Sequence, residues 1–485
     1  MPHGKGTCWV SRKRRTRRKA KHARPVVRIG RPDGSLTGLA GLALVDELVG
    51  ALGVVSALDR AVGPVKRRER GLSGGQLLVG MASGQLCGQD CLSGLDRVRA
   101  DPAGALLGHA PVPASTTAAQ LAKRFGPAQL AGIEAGLSAV YSRWLRVLPA
   151  QLRGRLVLSC PTIDLDATDI EVFGRRKERV GWNYAGVKSG RVHLASWAGA
   201  DLPLAMDLLA GNDDVRPGAP ALLRRALAVL PAAVCGRPRV RADAGYFDQA
   251  LARAAVDAGC DFAIAAKRNT AVWRAAAAIP ESAWQDAHDM PGAQVAACDY
   301  APAGWPSGTY TIVRRVKVSA EQISLDPRSR RRRTIPKDQL NLALDGAAEH
   351  AYAHSFIVTN IPADDGDVAG LEAWFRQRTS IEDRFREGKH GGGLNHLPSG
   401  QASINTVWAW GALLAGALGT MLQPLIGQRP DHAARTRTRT LRHQLLALPG
   451  RILRHARGLT LRLGAAGNQL LPPALAALRA LPRPG

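Results

Sequence analysis

The sequence predicts an α/β fold with a mixed sheet, flanked by helical regions. Three observations predict it. From about residue 151, short apolar strands alternate with amphipathic helical stretches; between 268 and 353 that rhythm breaks; beyond 353 it resumes with a strand and a long helix. A chain of 485 residues, 46% of them hydrophobic, is ample for such a core and for two to four structural units.

Residues 1–30 read as a disordered basic arm, because Arg12, Lys13, Arg14, Arg15, Arg17, Arg18, Lys19 and Lys21 repel one another and include no apolar anchor. Residues 31–150 read as an N-terminal helical domain. Leu44, Val45, Leu48, Val49 and Leu52 recur at helical spacing, as do Leu77, Leu78 and Met81. Ser115-Thr116-Thr117 offers an N-cap ahead of Lys123-Arg124. A DNA-binding unit and a helical packing domain fit this stretch equally.

Residues 151–267 form the first part of the α/β core. Thr162-Ile163-Asp164-Leu165-Asp166 alternates strictly, with Ile163 and Leu165 on one face and both aspartates on the other. Val192–Trp197 and Leu202–Leu209 read as antiparallel neighbours joined at Gly199-Ala200-Asp201. A helix over Ala219–Leu230, a strand over Arg239–Asp243, a helix over Phe247–Ala258 and a strand over Asp261–Ala266 follow. Residues 268–353 form a β-rich insertion, with strands at Val295–Tyr300 and Thr309–Val318 and an arginine run at Arg330–Arg333.

The second part of the core, 354–429, resumes with a strand at Ser355–Thr359 and one helix from about Asp367 to Lys389. No Asp, Glu, Lys or Arg occurs from His390 to Gln428, and Val407–Leu425 is long enough to span a bilayer. Its Gln423 and Pro424, in so basic a chain, favour a helix buried in a globular domain over a membrane span. Residues 430–485 carry Arg435, Arg437, Arg439, Arg442, Arg451, Arg454 and Arg457 among leucines and read as a basic helical C-terminal region.

The charge balance, 66 Lys plus Arg against 39 Asp plus Glu, gives +27 and calls for a polyanionic partner. Aromatics at 5% and the absence of RNP or KH signatures weigh against a structural RNA-binding protein. Seven scattered cysteines suit free thiols in a reducing compartment. Cys87 and Cys91 lack the second pair that a zinc site needs.

Cleavage of a phosphodiester needs one or two divalent ions, roughly 4 Å apart when paired. Mg²⁺ is hard and takes carboxylate oxygens, so acids at strand ends are the place to look. Asp166 ends one strand before Ala167-Thr168, and Asp243 ends another before Ala244-Gly245. A third acid is expected from a helix packed across the sheet. On one helix over Asp367–Lys389, Phe375, Arg378, Glu382 and Lys389 fall on one face, with Arg386 beside it and Trp374, Ile381 and Phe385 forming the docking stripe. Asp164 shares the face of Asp166 and competes with it for the first position.

These residues resemble a known family. Phe375-x2-Arg378-x3-Glu382-x6-Lys389 is similar to the Tyr-x2-Arg-x3-Glu-x6-Lys signature of IS4-like DDE transposases, with Phe in place of Tyr. Ile163–Thr168 and Arg241–Tyr246 resemble the family's two aspartate motifs, whose Asp-x-Thr pattern favours Asp166 over Asp164. Leu209-Ala210-Gly211-Asn212 and Leu397-Pro398-Ser399 resemble its IS1380 branch.

The resemblance implies an RNase H-like mixed-sheet catalytic core interrupted by the β-rich insertion. It implies cleavage of DNA at insertion-sequence ends and joining to target DNA. Asp166, Asp243 and Glu382 would bind two Mg²⁺ ions, with Mn²⁺ as a substitute. Arg378, Lys389, Arg386 and Phe375 would contact DNA, the last without the tyrosine hydroxyl. The implied partners are terminal inverted repeats, target DNA and a second copy in a synaptic homodimer. The implied location is the bacterial cytoplasm, at the nucleoid when DNA is bound, with no membrane association. In such enzymes a flipped base stacks on an insertion-domain tryptophan, for which Trp273, Trp284 and Trp305 are the candidates. A catalytically inactive or domesticated transposase that only binds DNA is the alternative.

Overall fold

A computed structural model describes residues 27–66, 70–108, 110–363, 367–427, 436–456 and 458–483. The basic run Arg12–Lys21, with Arg435 and Arg457, lies outside the described residues. The chain divides into two units, 1–34 and 35–485. The described part of the first, 27–34, carries no helix or strand.

The second unit opens with a short strand, β1 (Leu36–Thr37), and seven helices: α1 (Leu42–Leu52), α2 (Val54–Val62), α3 (Gly74–Leu86), α4 (Leu92–Arg99), α5 (Ser115–Ala122), α6 (Pro127–Val147) and α7 (Ala150–Leu158). Ser73 starts α3 with a capping box, its hydroxyl accepting from the Gln76 amide at 3.1 Å while Gln76 accepts from the Ser73 amide at 3.0 Å.

Next come β2 (Thr162–Glu171), β3 (Gly181–Trp182), β4 (Lys188–Trp197), β5 (Leu202–Ala210), α8 (Ala219–Val229), β6 (Arg239–Ala242), α9 (Gln249–Asp257) and β7 (Asp261–Ala265). They lead to α10 (Thr270–Ala277), β8 (Gln285–Asp286), β9 (Ala293–Cys298), β10 (Tyr310–Ser319), α11 (Lys337–Leu344) and β11 (His350–Thr359). The strands form one mixed sheet in the order β3-β4-β2-β6-β7-β11-β10-β9-β8, with β5 also paired to β4. β2, β6 and β7 are mutually parallel; β4 runs antiparallel to β2, and β5 antiparallel to β4. The fold is mixed α/β, with helices against a large sheet. The strands of 268–353 continue this sheet through the ten-residue pairing of β10 with β11.

Two sequence expectations are corrected here. The helix expected from Asp367 to Lys389 is two helices, α12 (Val368–Arg376) and α13 (Thr379–Gly391). The Arg378 amide bonds the Phe375 carbonyl, three residues back, instead of the Trp374 carbonyl. That carbonyl is taken by the Gln377 amide and by the buried Arg241 guanidinium. A side chain inserted into the hydrogen-bond ladder breaks the helix. The C-terminal region is also not purely helical. After α14 (Ala402–Leu425) and α15 (Thr438–Leu441), a hairpin of β12 (Gly450–His455) and β13 (Gly458–Leu463) pairs with β1, and α16 (Ala465–Arg479) follows. The alternation Leu459, Leu461, Leu463 is the strand signal that the arginine density concealed.

The uncharged stretch becomes α14, buried along nearly its whole length. The Trp144 indole donates to the Met421 carbonyl at 3.1 Å, and Gln85 donates to that of Trp408 at 3.2 Å. The Tyr141 hydroxyl reaches the Pro203 carbonyl of β5 at 2.7 Å. These bonds tie the N-terminal helices to α14 and the sheet. No helix among the described residues is long and apolar enough to cross a membrane.

Candidate active site

β2 is longer than the sequence suggested, so Asp166 lies within it rather than at its end. What ends at that level is the neighbouring strand. The last registered pair between β2 and β6 is Leu165 with Ala242, and the next residues are Asp166 and Asp243. Beyond this point β2 pairs only with β4. Parallel register thus sets the two aspartates side by side where one strand stops and the other continues.

The Asp166 carboxylate accepts from the Ala167 amide at 2.8 Å and from the Arg378 guanidinium at 3.1 Å. Burial pushes its pKa up to about 6, with Arg378 pulling it down and the charge of Asp243 pushing it further up. Asp243 caps the 3₁₀ turn Ala244–Tyr246 by accepting from the Gly245 amide at 2.8 Å. Tyr246, at the end of that turn, is 2% exposed, and its hydroxyl has no hydrogen-bond partner among the described residues. Its phenol is held well above its ordinary pKa by burial, then by Asp166 and Asp243. The buried His193 ring lies 5.6 Å from it. Burial lowers the His193 pKa to about 4.

Asp164 has different partners from Asp166. Its two oxygens accept from the Arg241 guanidinium at 2.7 and 2.9 Å, and both side chains are buried. Burial raises its pKa while Arg241, Arg378 and Ser380 lower it. Arg241 also lies 5.1 Å from the Trp374 ring centroid, and the Trp374 indole donates to the Thr162 hydroxyl at 3.1 Å. This fork-to-fork pair seats α12 on the sheet. Arg241 and Tyr246 were not singled out from the sequence. A charged residue inside the short strand Arg239–Ala242 was the available signal, since such residues are buried only when paired.

α13 lies against β2 with its Ile381 and Phe385 buried, and its buried Arg384 pairs with Asp201 of the β4–β5 turn. Arg378, Glu382 and Lys389 share one side of this helix, within roughly 40° of arc. Both flanking cations touch β2: Arg378 at Asp166, and Lys389 by donating to the Asp169 carbonyl at 2.9 Å. Burial lowers the Lys389 pKa. Glu382 stands between them and is exposed. Phe375, on α12, is half-buried and packs against an apolar cluster that includes Ala263, Ile357 and Val368. Arg386 is exposed and paired with Asp383 at 2.6 Å.

The family model of the transposase DDE domain, group 1, matches residues 19–328 and 329–482. The chain belongs to this family. It is thus a DDE transposase, with the action on DNA and the general dependence on divalent metal that this domain implies. No curated protein matches. Among solved structures, this DDE transposase is similar to the chain in a cryo-EM structure of a piggyBac transposase synaptic complex with hairpin DNA. The TM-score is 0.40 and the identity 8%, over 83% of this chain and 78% of that one.

The residues fit a divalent ion in part. Two adjacent carboxylates, one of them mostly buried and held protonated to an unusually high pH, are a pair that a cation would relieve. Among the described residues, no three His, Cys, Asp or Glu are gathered as a metal-holding group. The transposase presents two adjacent aspartates, with Arg378 bound to Asp166 and Glu382 on the helix that Arg378 begins.

Proposed function

We propose that this transposase cleaves DNA at the ends of an insertion sequence and joins them to target DNA by two-metal phosphoryl transfer. The observation that carries the reading is the adjacency of Asp166 and Asp243, the residues next after the last β2–β6 pair, with Arg378 bound to Asp166 and Lys389 to the Asp169 carbonyl. Asp166, Asp243 and Glu382 would hold Mg²⁺, or Mn²⁺ in its place, and such ions supply an activated water or 3′-hydroxyl and neutralise the leaving oxygen. Arg378 balances the charge of Asp166, and with Lys389 offers cations for phosphates of the element end. Ala167 and Gly245 amides orient the two aspartates.

Three parallel strands, with an antiparallel pair beyond β2, support an RNase H-like core. The Leu209–Asn212 and Leu397–Ser399 motifs support the IS4-like, IS1380 assignment. The domain plan proposed is a basic arm (1–30), a helical DNA-binding domain (31–150), core (151–267), insertion (268–353), core (354–429) and a basic C-terminal region (430–485). Terminal inverted repeats, target DNA and a second copy in a synaptic dimer are its partners, in the cytoplasm at the nucleoid. Trp273 and Trp284 line a cavity of about 1020 Å³ with Arg315, which lies 4.1 Å from the Trp284 ring centroid. Trp305 packs instead against Phe247 and Phe262.

The test is direct. Purified protein with Mg²⁺ is given DNA carrying the native flanks of its reading frame, and strand breaks are mapped. Metal-dependent breaks at inverted repeats are expected; intact DNA with either metal would end the proposal. A second reading, DNA binding without catalysis, is favoured by the exposed, ungathered Glu382. Intact DNA together with tight binding of those flanks would select it.

A further inference from the structure

Every exposed Phe, Trp and Tyr among the described residues lies within one segment of twelve residues: Phe173 at 85%, Trp182 at 67% and Tyr184 at 85% exposure. Large apolar rings held in water are uncommon, and three within twelve residues mark a contact surface. They stand where β2 ends and the β3–β4 turn begins, at the end of the sheet toward which β2 runs on past Asp166. Phe173 lies seven residues beyond Asp166, five of them within β2, a span of at most about 23 Å.

The surroundings are basic and firmly built. Residues 171–188 hold Arg175, Arg176, Lys177, Arg179 and Lys188 against Glu171 and Glu178. No ion pair or side-chain hydrogen bond occupies Arg175, Arg176 or Arg179 among the described residues. Asn183, between Trp182 and Tyr184, accepts from the Ala185 and Val187 amides at 3.0 and 2.9 Å and donates to Asp169 at 2.7 Å. The two motifs with no chemical role in the site act as buttresses. Asn212 presses on Gly181, where a Cβ would lie 1.6 Å from its Oδ1. Lys177 donates to the Leu397 carbonyl, and a Cβ at Gly190 would lie 2.6 Å from Leu397 Cδ1.

We propose that Phe173, Trp182 and Tyr184 form a stacking platform for unpaired bases of a DNA strand leaving the active site. The free arginines select a polyanion. The rings select unpaired bases, because in a duplex the π-faces are already stacked on one another and only the backbone is offered. A protein partner would have to desolvate three unpaired guanidinium groups to cover the same rings. At 3.4 Å per stacked nucleotide, the platform meets the strand about seven steps from Asp166. This inference rests on the proposed action at DNA ends.

The experiment measures binding of the full chain by fluorescence anisotropy, with Ca²⁺ in place of Mg²⁺ to hold cleavage back. The probes are a short blunt duplex and the same duplex with an oligothymidine tail. The native chain should prefer the tailed probe. F173A/W182A/Y184A should lose that preference by about tenfold or more while binding blunt duplex as before. F173Y/W182F/Y184F, which keeps three rings, should retain it. An unchanged preference in the alanine variant, or none in the native chain, overturns the platform and leaves DNA binding standing. A shift of the alanine variant from dimer to monomer on gel filtration overturns it in favour of a second copy on this surface. Failure to bind either probe removes the DNA reading itself.

Discussion

Arg378 and Asp166, 212 positions apart in the chain, are joined by a guanidinium–carboxylate bond of 3.1 Å, with both side chains mostly buried. The bond ties the start of α13 to the middle of β2. It also balances a carboxylate that burial and Asp243 would otherwise keep protonated. A divalent ion on the aspartate pair would offer the same compensation with twice the charge.

Metal should therefore stabilise the protein. Adding Mg²⁺ or Mn²⁺ should raise the thermal midpoint by binding the native state alone, by about 1.4 kcal/mol at ten times the dissociation constant. Asp243→Asn should abolish most of that rise. Differential scanning fluorimetry with and without EDTA makes the comparison, and an equal rise in the variant would place the ion elsewhere.

Asp166→Asn, Asp243→Asn and Glu382→Gln should each lower strand cleavage by about a hundredfold or more, with duplex binding nearly unchanged. Gel assays on end-bearing DNA read both quantities. Full cleavage by Glu382→Gln would remove it from the acid set and leave the two aspartates.

Asp164→Ala should act on the fold. It strands the Arg241 guanidinium in a buried site, which costs about 3–5 kcal/mol. Urea unfolding should show that loss, and any folded fraction should keep the metal-induced shift in midpoint. A stable variant that no longer responds to metal would make Asp164 a ligand.

Acid should destabilise the fold through His193 and His354, each lowered to about 4 by burial. Between pH 6.5 and 4 the unfolded chain binds the protons that the folded chain refuses, so this stability is complete above 6.5 and lost as pH falls. At pH 5 the loss is about 2 kcal/mol per histidine. Asp166 works in the opposite sense: its raised pKa contributes stability below about 4 that is lost as pH rises through 6. His354→Leu should flatten the fall in urea midpoint between pH 7.5 and 5; an unaltered pH dependence would exclude His354 as a source.

Lys389→Ala should weaken binding of end DNA and reduce the slope of log affinity against log salt by about 0.9. A slope equal to that of the native chain would show that Lys389 serves only to hold the Asp169 carbonyl.

Much of the central fold was legible because its signals are local. Strict alternation marked the first five residues of β2, and the turn at Gly199-Ala200-Asp201 marked the β4–β5 hairpin. Both are read from side-chain periodicity and backbone preference over a few residues. The break between α12 and α13 was not legible. It depends on Arg241 reaching the Trp374 carbonyl from 133 positions away, and nothing within the Asp367–Lys389 segment announces it.

What the sequence determined by itself was the kinds of chemistry present and their order: two aspartates followed by a helix-borne glutamate among cations, in a basic chain. Only the tertiary structure decided how they meet. The parallel register of β2 and β6 made Asp166 and Asp243 neighbours, a buried arginine claimed Asp164, and Phe375 packed into an apolar cluster beside the helix break. Those outcomes turn on strand register and long-range ion pairing, which balance many distant contacts at once and leave no mark in any short stretch of chain.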